Sequence, residues 1–243
     1  MGNHNILKSY LKELEICFSD KQLKALERYL DMVYEYNKKF NLTGTKDKEG
    51  ILVRHILDSI ALIKFKEELF GINGNGYKVL DVGTGAGLPG IPLSIMMENM
   101  VFYLLESSSK KINFLEAVIK EINLKNIVLL KGRAEQLARE TGYREVFNIV
   151  VSRAVAKFNI LIELTIPFCR INGKIIFYKS KEVESEIKRS KDSISKLGGR
   201  IDNLLEVRVP DLNEFRSFLV IEKIKDSPKI YPRNFNIIMK KSL

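Results

Sequence analysis

Asp81-Val82-Gly83-Thr84-Gly85-Ala86-Gly87 follows the short apolar run Val79-Leu80 and leads into Leu88-Pro89-Gly90. Glycine lets a backbone turn sharply and, having no side chain, leaves room for a ligand to lie against the peptide. Pro89 suits the first turn of a following helix, whose N-terminal amides would point at that ligand. The next candidate strand, Val101–Glu106, ends in a carboxylate. An acid there accepts hydrogen bonds from both hydroxyls of an adenosyl ribose. Beyond a third strand, Gly132-Arg133-Ala134-Glu135 puts the Ala134 backbone and the Glu135 side chain where an adenine ring would lie. A capped helix start accounts for that tetrad equally well.

Two ligand classes compete for such a bend. Gly85-Ala86-Gly87-Leu88-Pro89-Gly90 matches the Gly-x-Gly-x-x-Gly of a dinucleotide site, which would make the chain an NAD-type dehydrogenase. The bend, however, begins earlier, at Gly83, directly after the acidic Asp81. The sheet also ends in a hairpin, which adds an antiparallel strand where a plain dinucleotide fold stays parallel. Both features favour an S-adenosylmethionine-dependent methyltransferase. The blander alternatives are a connector that binds nothing and an RNA-binding protein that has lost the cofactor.

Outward from the bend, the rhythm is strand–helix alternation, the mark of a parallel sheet covered by helices. Strands are expected at 78–82, 101–106, 126–131, 148–152 and 174–179, with helices near 89–97, 108–122, 133–140, 159–168 and 182–197. Runs 204–209 and 216–223, joined by a short turn at Asp211-Leu212-Asn213, form the hairpin. Upstream, Leu7, Leu11 and Leu14, then Leu23, Leu26, Leu30, Val33 and Tyr34, recur at helical spacing. Ser19 or Asp20 caps the second helix, Asn41-Leu42-Thr43-Gly44 breaks it, and a third runs from about 50 to 64. Glycines at 71, 74 and 76 mark a connector. The expectation is a helical region 1–70, an α/β core 71–225 and a basic tail 226–243.

Composition narrows the setting. No apolar stretch nears the roughly 18 residues a membrane span needs, and the first ten residues carry no signal core. Cys17 and Cys169 stand alone, as do His4 and His55, so neither a disulfide framework nor a metal site is indicated. The cytoplasm is the natural reading, and a monomer is the expectation, although the sequence does not itself give the oligomeric state. The net charge of +10 is uneven: residues 1–70 hold 12 basic against 11 acidic side chains, and the excess falls downstream. Such an excess suits a polyanion, although it also solubilises a protein.

Missing motifs bear on the acceptor. Methyl acceptors dock near the end of the fourth strand, here Val151-Ser152-Arg153-Ala154, and neither Asn-Pro-Pro-Tyr nor Asp-Pro-Pro-Tyr occurs. Cys169, in Pro167-Phe168-Cys169 at a helix end, reads as core rather than as a nucleophile. A ring nitrogen such as guanine N7 fits this absence. It carries a lone pair and no proton, so alignment replaces a general base.

The chain resembles the RsmG (GidB) family of bacterial 16S rRNA guanine-N7 methyltransferases. The resemblance rests on Tyr36-Asn37-Lys38-Lys39-Phe40-Asn41-Leu42-Thr43, Leu52-Val53-Arg54-His55-Ile56-Leu57-Asp58-Ser59, and the stretch from Asp81 to Ser94. Leu105-Glu106-Ser107 with Lys110-Lys111, Arg133-Ala134-Glu135 and Val151-Ser152-Arg153-Ala154 complete it. It implies a class I S-adenosylmethionine methyltransferase fold, α/β, with a Rossmann-like seven-stranded sheet, the last strand antiparallel, and a helical N-terminal extension. It implies 16S rRNA or the small ribosomal subunit as partner, with guanine 527 of the decoding region as acceptor. Cofactor contacts are implied at Gly83, Leu88, Ala134, Glu135, Arg153 and near Glu106, where the family often has Asp. The tail departs from relatives: Tyr231-Pro232-Arg233 and Lys240-Lys241 match one branch, whereas 235–239 replaces its Gly/Pro-containing segment.

The candidate cofactor residues are therefore Asp81, Gly83, Gly85, Gly87, Leu88, Glu106, Ala134, Glu135 and Arg153. Arg153, His55 and Asn41 are the candidate catalytic residues, none as a general base. His55 and Asp58, three apart beside Ser59, share a helix face, which a surface hydrogen bond would also explain. Arg153 suits the cofactor carboxylate, a phosphate or guanine O6. Asn37 and Asn41 could hydrogen-bond a flipped base or simply end a helix. Lys110, Lys111, Lys188, Arg189 and Lys191 could hold phosphates, or lie on solvated faces.

Overall fold

A computed structural model describes residues 3–71, 74–153, 157–180 and 183–243. The expected features at Met1, Gly2, Ala154 and Glu182, and the middle of the 71–76 connector, lie outside these residues.

Among the described residues, seven strands form one sheet in the order β3-β2-β1-β4-β5-β7-β6. They are β1 (Lys78–Val82), β2 (Val101–Glu106), β3 (Ile127–Lys131), β4 (Phe147–Arg153), β5 (Cys169–Lys179), β6 (Gly199–Val207) and β7 (Arg216–Lys223). β1 to β5 pair in parallel, and β7 runs antiparallel to both β5 and β6. Alternation along the strands feeds two cores. Val79, Phe102, Leu104, Ile149, Val151, Ile176 and Val220 face one side, Leu80, Val82, Leu105, Val150, Ile175, Phe177 and Leu219 the other. With both faces covered, these strands read as nearly continuous apolar runs, which is why their positions were legible.

The first face is covered by the N-terminal helices. α1 (Asn3–Glu13) and α2 (Asp20–Phe40) bury Leu7, Leu11, Leu14, Leu23, Leu26 and Leu30 in the same cluster as the sheet residues. Ser19 and Gln22 close a capping box on α2. The expected third helix is longer and less regular than its spacing suggested. It comprises α3 (Lys48–Ile51), a π turn (Leu52–Leu57), α4 (Asp58–Ile60), a 3₁₀ turn (Ala61–Phe65) and α5 (Lys66–Phe70). α6 (Gly90–Met96) and α7 (Ser109–Ile122) lie on this side as well, contributing Ile91, Leu93, Ile112 and Leu115. The second face takes α8 (Ala134–Leu137), α9 (Phe158–Thr165) and α10 (Val183–Lys196), and α11 (Phe235–Lys240) packs outside α9.

Several boundaries differ from expectation. Pro89 is the cap before α6, not a residue of its first turn. α8 spans a single turn rather than 133–140. Cys169 is buried as expected, but it opens β5 instead of closing a helix. β5 begins at Cys169 rather than 174, and its residues 170–172 are exposed and irregular, with Asn172 at φ 62° and a register shift opposite β4. β6 begins at Gly199 rather than 204, since it is an edge strand whose Arg200, Asp202 and Asn203 look outward and hide the alternation. No helix among the described residues is long and apolar enough to cross a membrane.

Candidate functional site

The carboxyl ends of the parallel strands open into a cavity of about 810 Å³. Its floor is the bend after β1. Gly83 and Thr84 donate their amides to the Leu105 carbonyl at 3.0 and 3.1 Å, tying the bend to β2. Asp81 shapes it from beneath. Fully buried, it accepts from Thr84 Oγ1 at 2.6 Å and from the Gly90 amide at 2.9 Å, while its other oxygen has no partner among the described residues. Burial pushes its carboxyl up to about 6, against the two hydrogen bonds that favour the charge. The first free amide of α6 is thus spent on Asp81 and does not face the cavity as the sequence suggested.

The glycines divide by what surrounds them. A Cβ on Gly87 would stand 2.4 Å from Ile91, and one on Gly90 would stand 2.3 Å from Leu104. Both serve close packing behind the bend, and neither Gly87 nor Asp81 lines the cavity. Gly85, at φ +62°, would meet nothing nearer than 3.9 Å and borders open space. Gly83, Leu88, Ala134 and Glu135 line the cavity alongside it. From α2, Tyr29 donates its hydroxyl to the Ala86 carbonyl at 2.8 Å and holds the bend from behind.

Glu106 ends β2 at the cavity edge and is 6% exposed. One carboxylate oxygen accepts the Ser107 and Ser108 amides, both at 2.8 Å, and the other accepts the Gly85 amide at 3.1 Å. Lys111 approaches within 3.7 Å. The acid is therefore locked in one orientation facing the glycine bend, which the spacing alone could not reveal.

At the opposite wall, Arg153 ends β4. One guanidinium nitrogen donates to Asp58 Oδ2 at 3.0 Å, the His55 carbonyl at 3.1 Å and Ser59 Oγ at 3.2 Å. The other reaches His55 Nδ1 at 3.5 Å. Arg216, opening β7, takes the second Asp58 oxygen at 3.0 Å, and Glu214 bridges Arg216 and Arg54. The π turn lets the His55 ring and carbonyl and the Asp58 carboxylate converge on one guanidinium; such turns concentrate at functional sites. A guanidinium has only donors, so His55 Nδ1 accepts and Nε2–H donates to Thr45 Oγ1 at 3.0 Å. Burial, aided by Arg153, Arg54 and Arg216, pushes His55 down to about 4, so the ring is neutral at pH 7.

Asn37 and Asn41 take different places. Asn37 is buried, donating to the Thr45 carbonyl at 2.6 Å and accepting the Thr43 amide at 2.8 Å. It fixes the loop that brings Leu42, Thr43 and Gly44 to the cavity. Asn41 caps α2 at φ 47°, is exposed, and stands outside the cavity lining. Among the candidate phosphate holders only Lys111 lines the cavity. Lys110 lies 4.1 Å from the Phe40 ring, and Lys188, Arg189 and Lys191 sit on α10. Sequence reasoning missed Lys179, Glu214, Arg216, Leu164 and Phe235, all cavity residues. Lys179, ending β5, stands 3.9 Å from the Phe158 ring centre and pairs with Glu186. No group of three His, Cys, Asp or Glu side chains among the described residues could hold a metal ion.

Residues 22–213 match the family model described as rRNA small subunit methyltransferase G. The chain is 40% identical over 243 residues, all of both proteins, to ribosomal RNA small subunit methyltransferase G of Clostridium tetani. It is 36% identical over 237 residues to that of Desulforamulus reducens, covering 98% of this chain and 97% of the relative. Among solved structures, a SAM-dependent methyltransferase from Aquifex aeolicus superposes with a TM-score of 0.51 at 18% identity, over 72% of this chain and 93% of that one. That last likeness is one of fold.

Proposed function

From the premise that this chain belongs to the rRNA small subunit methyltransferase G family, we propose that it methylates N7 of one guanine in 16S rRNA, acting as a cytoplasmic monomer. It is an S-adenosylmethionine-dependent rRNA methyltransferase with a class I fold. The observation that carries the proposal is the continuity of one cavity from the glycine bend and Glu106 to Arg153, His55 and Lys179. A ligand-binding end and a cationic end thus share one space.

The residues present fit an adenosyl group. Gly85 leaves the floor bare, Glu106 stands fixed where a ribose diol would lie, and Ala134 with Glu135 edges the next strand end. When bound, S-adenosylmethionine supplies a methyl group on an electrophilic sulfonium. Because guanine N7 offers a lone pair and loses no proton, this chain has no proton to remove. Its task is alignment, worth up to roughly 7–11 kcal/mol when reacting groups are held in register. Arg153 meets that need. Its guanidinium is clamped by Asp58, Ser59 and His55, so little ordering remains when an acceptor arrives. The neutral His55 steadies it without adding charge, and the net charge of +10 favours a polyphosphate partner.

Mass mapping of 16S rRNA from cells with and without the protein tests the acceptor. A base-labile N7-methylguanine is expected only when the protein is present. A methyl group on ribose or on an exocyclic amine overturns the assignment.

A further inference from the structure

The basic tail 226–243 reaches the cavity. Phe235, the first residue of α11, lines it next to Arg133, Ala134 and Leu164. Ile238 is fully buried against Ile160 and Leu164, and Phe235 and Ala134 pack on that same cluster. The cavity therefore has two unlike ends. Arg54, His55, Asp58, Arg153 and Arg216 make one polar. The other, beside the strand end next to Glu106, carries the apolar Ala134, Leu164 and Phe235, with the Arg133 guanidinium 5.9 Å from the Phe235 ring centre.

The tail is fastened there by strong contacts. Arg233 gives its amide and Nε to Glu163 Oε1 at 2.8 and 2.9 Å, and another guanidinium nitrogen to Oε2 at 2.6 Å. Glu163 is fully buried, so this pair is nearly dry on the acid's side. Arg139 and Arg144 hold the Pro232 and Tyr231 carbonyls at 3.0 and 2.8 Å. A segment held this way is a wall of the fold rather than a loose arm.

We propose that Phe235 is a cofactor-binding residue, its ring forming the apolar wall against which the adenine of S-adenosylmethionine packs, with Arg233–Glu163 as the latch that positions it. The proposal rests on the methyltransferase reading above. Adenine is the flat, aromatic end of the cofactor, and a partly buried aromatic ring is the side chain best suited to cover its face.

The chain contains no tryptophan, which gives the test a clean probe. In F235W, titration with S-adenosylhomocysteine should produce a saturable change in tryptophan emission. I171W, placed near the opposite end of β5, should show none. By calorimetry, Phe235→Ala should bind S-adenosylhomocysteine roughly tenfold more weakly, as loss of an aromatic stacking partner implies. Phe235→Tyr should bind nearly as wild type, and R233A should weaken binding without removing the ring. Equal affinity of Phe235→Ala and wild type, with no response in F235W, overturns the proposal. Failure of the wild-type chain itself to bind would instead remove the methyltransferase reading on which it rests.

Discussion

Arg153 and Asp58 form a 3.0 Å ion pair with side chains 12% and 5% exposed, joining the tip of β4 to the helical run 48–70. The same carboxylate holds Arg216 of β7 at 3.0 Å. One acid thus ties three separate parts of the chain together at the cavity wall. Removing a single partner from a buried pair leaves uncompensated charge and costs about 3–5 kcal/mol. Asp58→Ala strands two guanidinium groups and should lower the melting temperature markedly while reducing methyl transfer. Thermal unfolding and transfer to rRNA are the measurements, and unchanged melting would remove the structural role given to the pair.

A second expectation concerns pH. His55 is pushed down from 6.5 to about 4, chiefly by burial. Its contribution to stability is present above pH 6.5 and lost as pH falls through 4. Asp81 is pushed up from 3.8 to about 6, again by burial, so its contribution is present below pH 3.8 and lost as pH rises through 6. Between about pH 4 and 6 the two slopes oppose each other, each at up to roughly 1.4 kcal/mol per pH unit. Relative to wild type, His55→Asn should lose stability as pH rises through this window, and Asp81→Asn should gain it. Urea unfolding at several pH values reads both slopes. Parallel curves for all three proteins would sink the argument.

The glycines should separate by phenotype. Gly90→Ala forces a Cβ to 2.3 Å from Leu104 and 2.9 Å from Asp81, and overpacking of this kind costs about 1–3 kcal/mol. Gly85→Ala meets no neighbour closer than 3.9 Å and carries mainly the left-handed backbone penalty, about 1–2 kcal/mol. Its methyl group also enters the space meant for the ligand. Gly90→Ala should lose stability first, and Gly85→Ala should lose affinity for S-adenosylhomocysteine out of proportion to its melting shift. Indistinguishable variants would count against dividing the bend into packing and binding positions.

Glu106→Gln offers a fourth check. The carboxylate accepts three amides, and hydrogen bonds to a charged group contribute about 1.5–3 kcal/mol each. A glutamine keeps the shape but turns one acceptor into a donor facing amides that also donate. Calorimetric affinity for S-adenosylhomocysteine should fall roughly tenfold or more, with the sheet intact by circular dichroism. Undiminished affinity would remove Glu106 from the site.

Much of this was legible in the chain. β1 and β2 were placed to the residue because strands buried on both faces leave long apolar runs ending in informative acids. The bend, Glu106 and the Ala134-Glu135 pair announced themselves by spacing from those ends. What stayed hidden depended on contacts between distant segments. Nothing near Arg216 signals that it shares Asp58, and nothing in the tail marks Phe235 as a cavity residue. Spacing also misled locally. His55 and Asp58 suggested a regular helix face, whereas a π turn and an arginine from β4 decide what they do. Asp81, read as a ligand contact, turned out to brace the bend because a fully buried acid found Thr84 and Gly90 nearer than open space.

The reversal of β7 has a consequence for the order of events in biosynthesis. By pairing Glu222 with Lys174, it carries the chain away from the cavity mouth, and the following segment must travel back before Phe235 arrives. The glycine bend is thus translated long before its apolar wall. A nascent chain still lacking residues beyond 234 has a sheet and a floor but only half a purse. Competence for its small ligand should arrive late, well after most of the sheet has emerged.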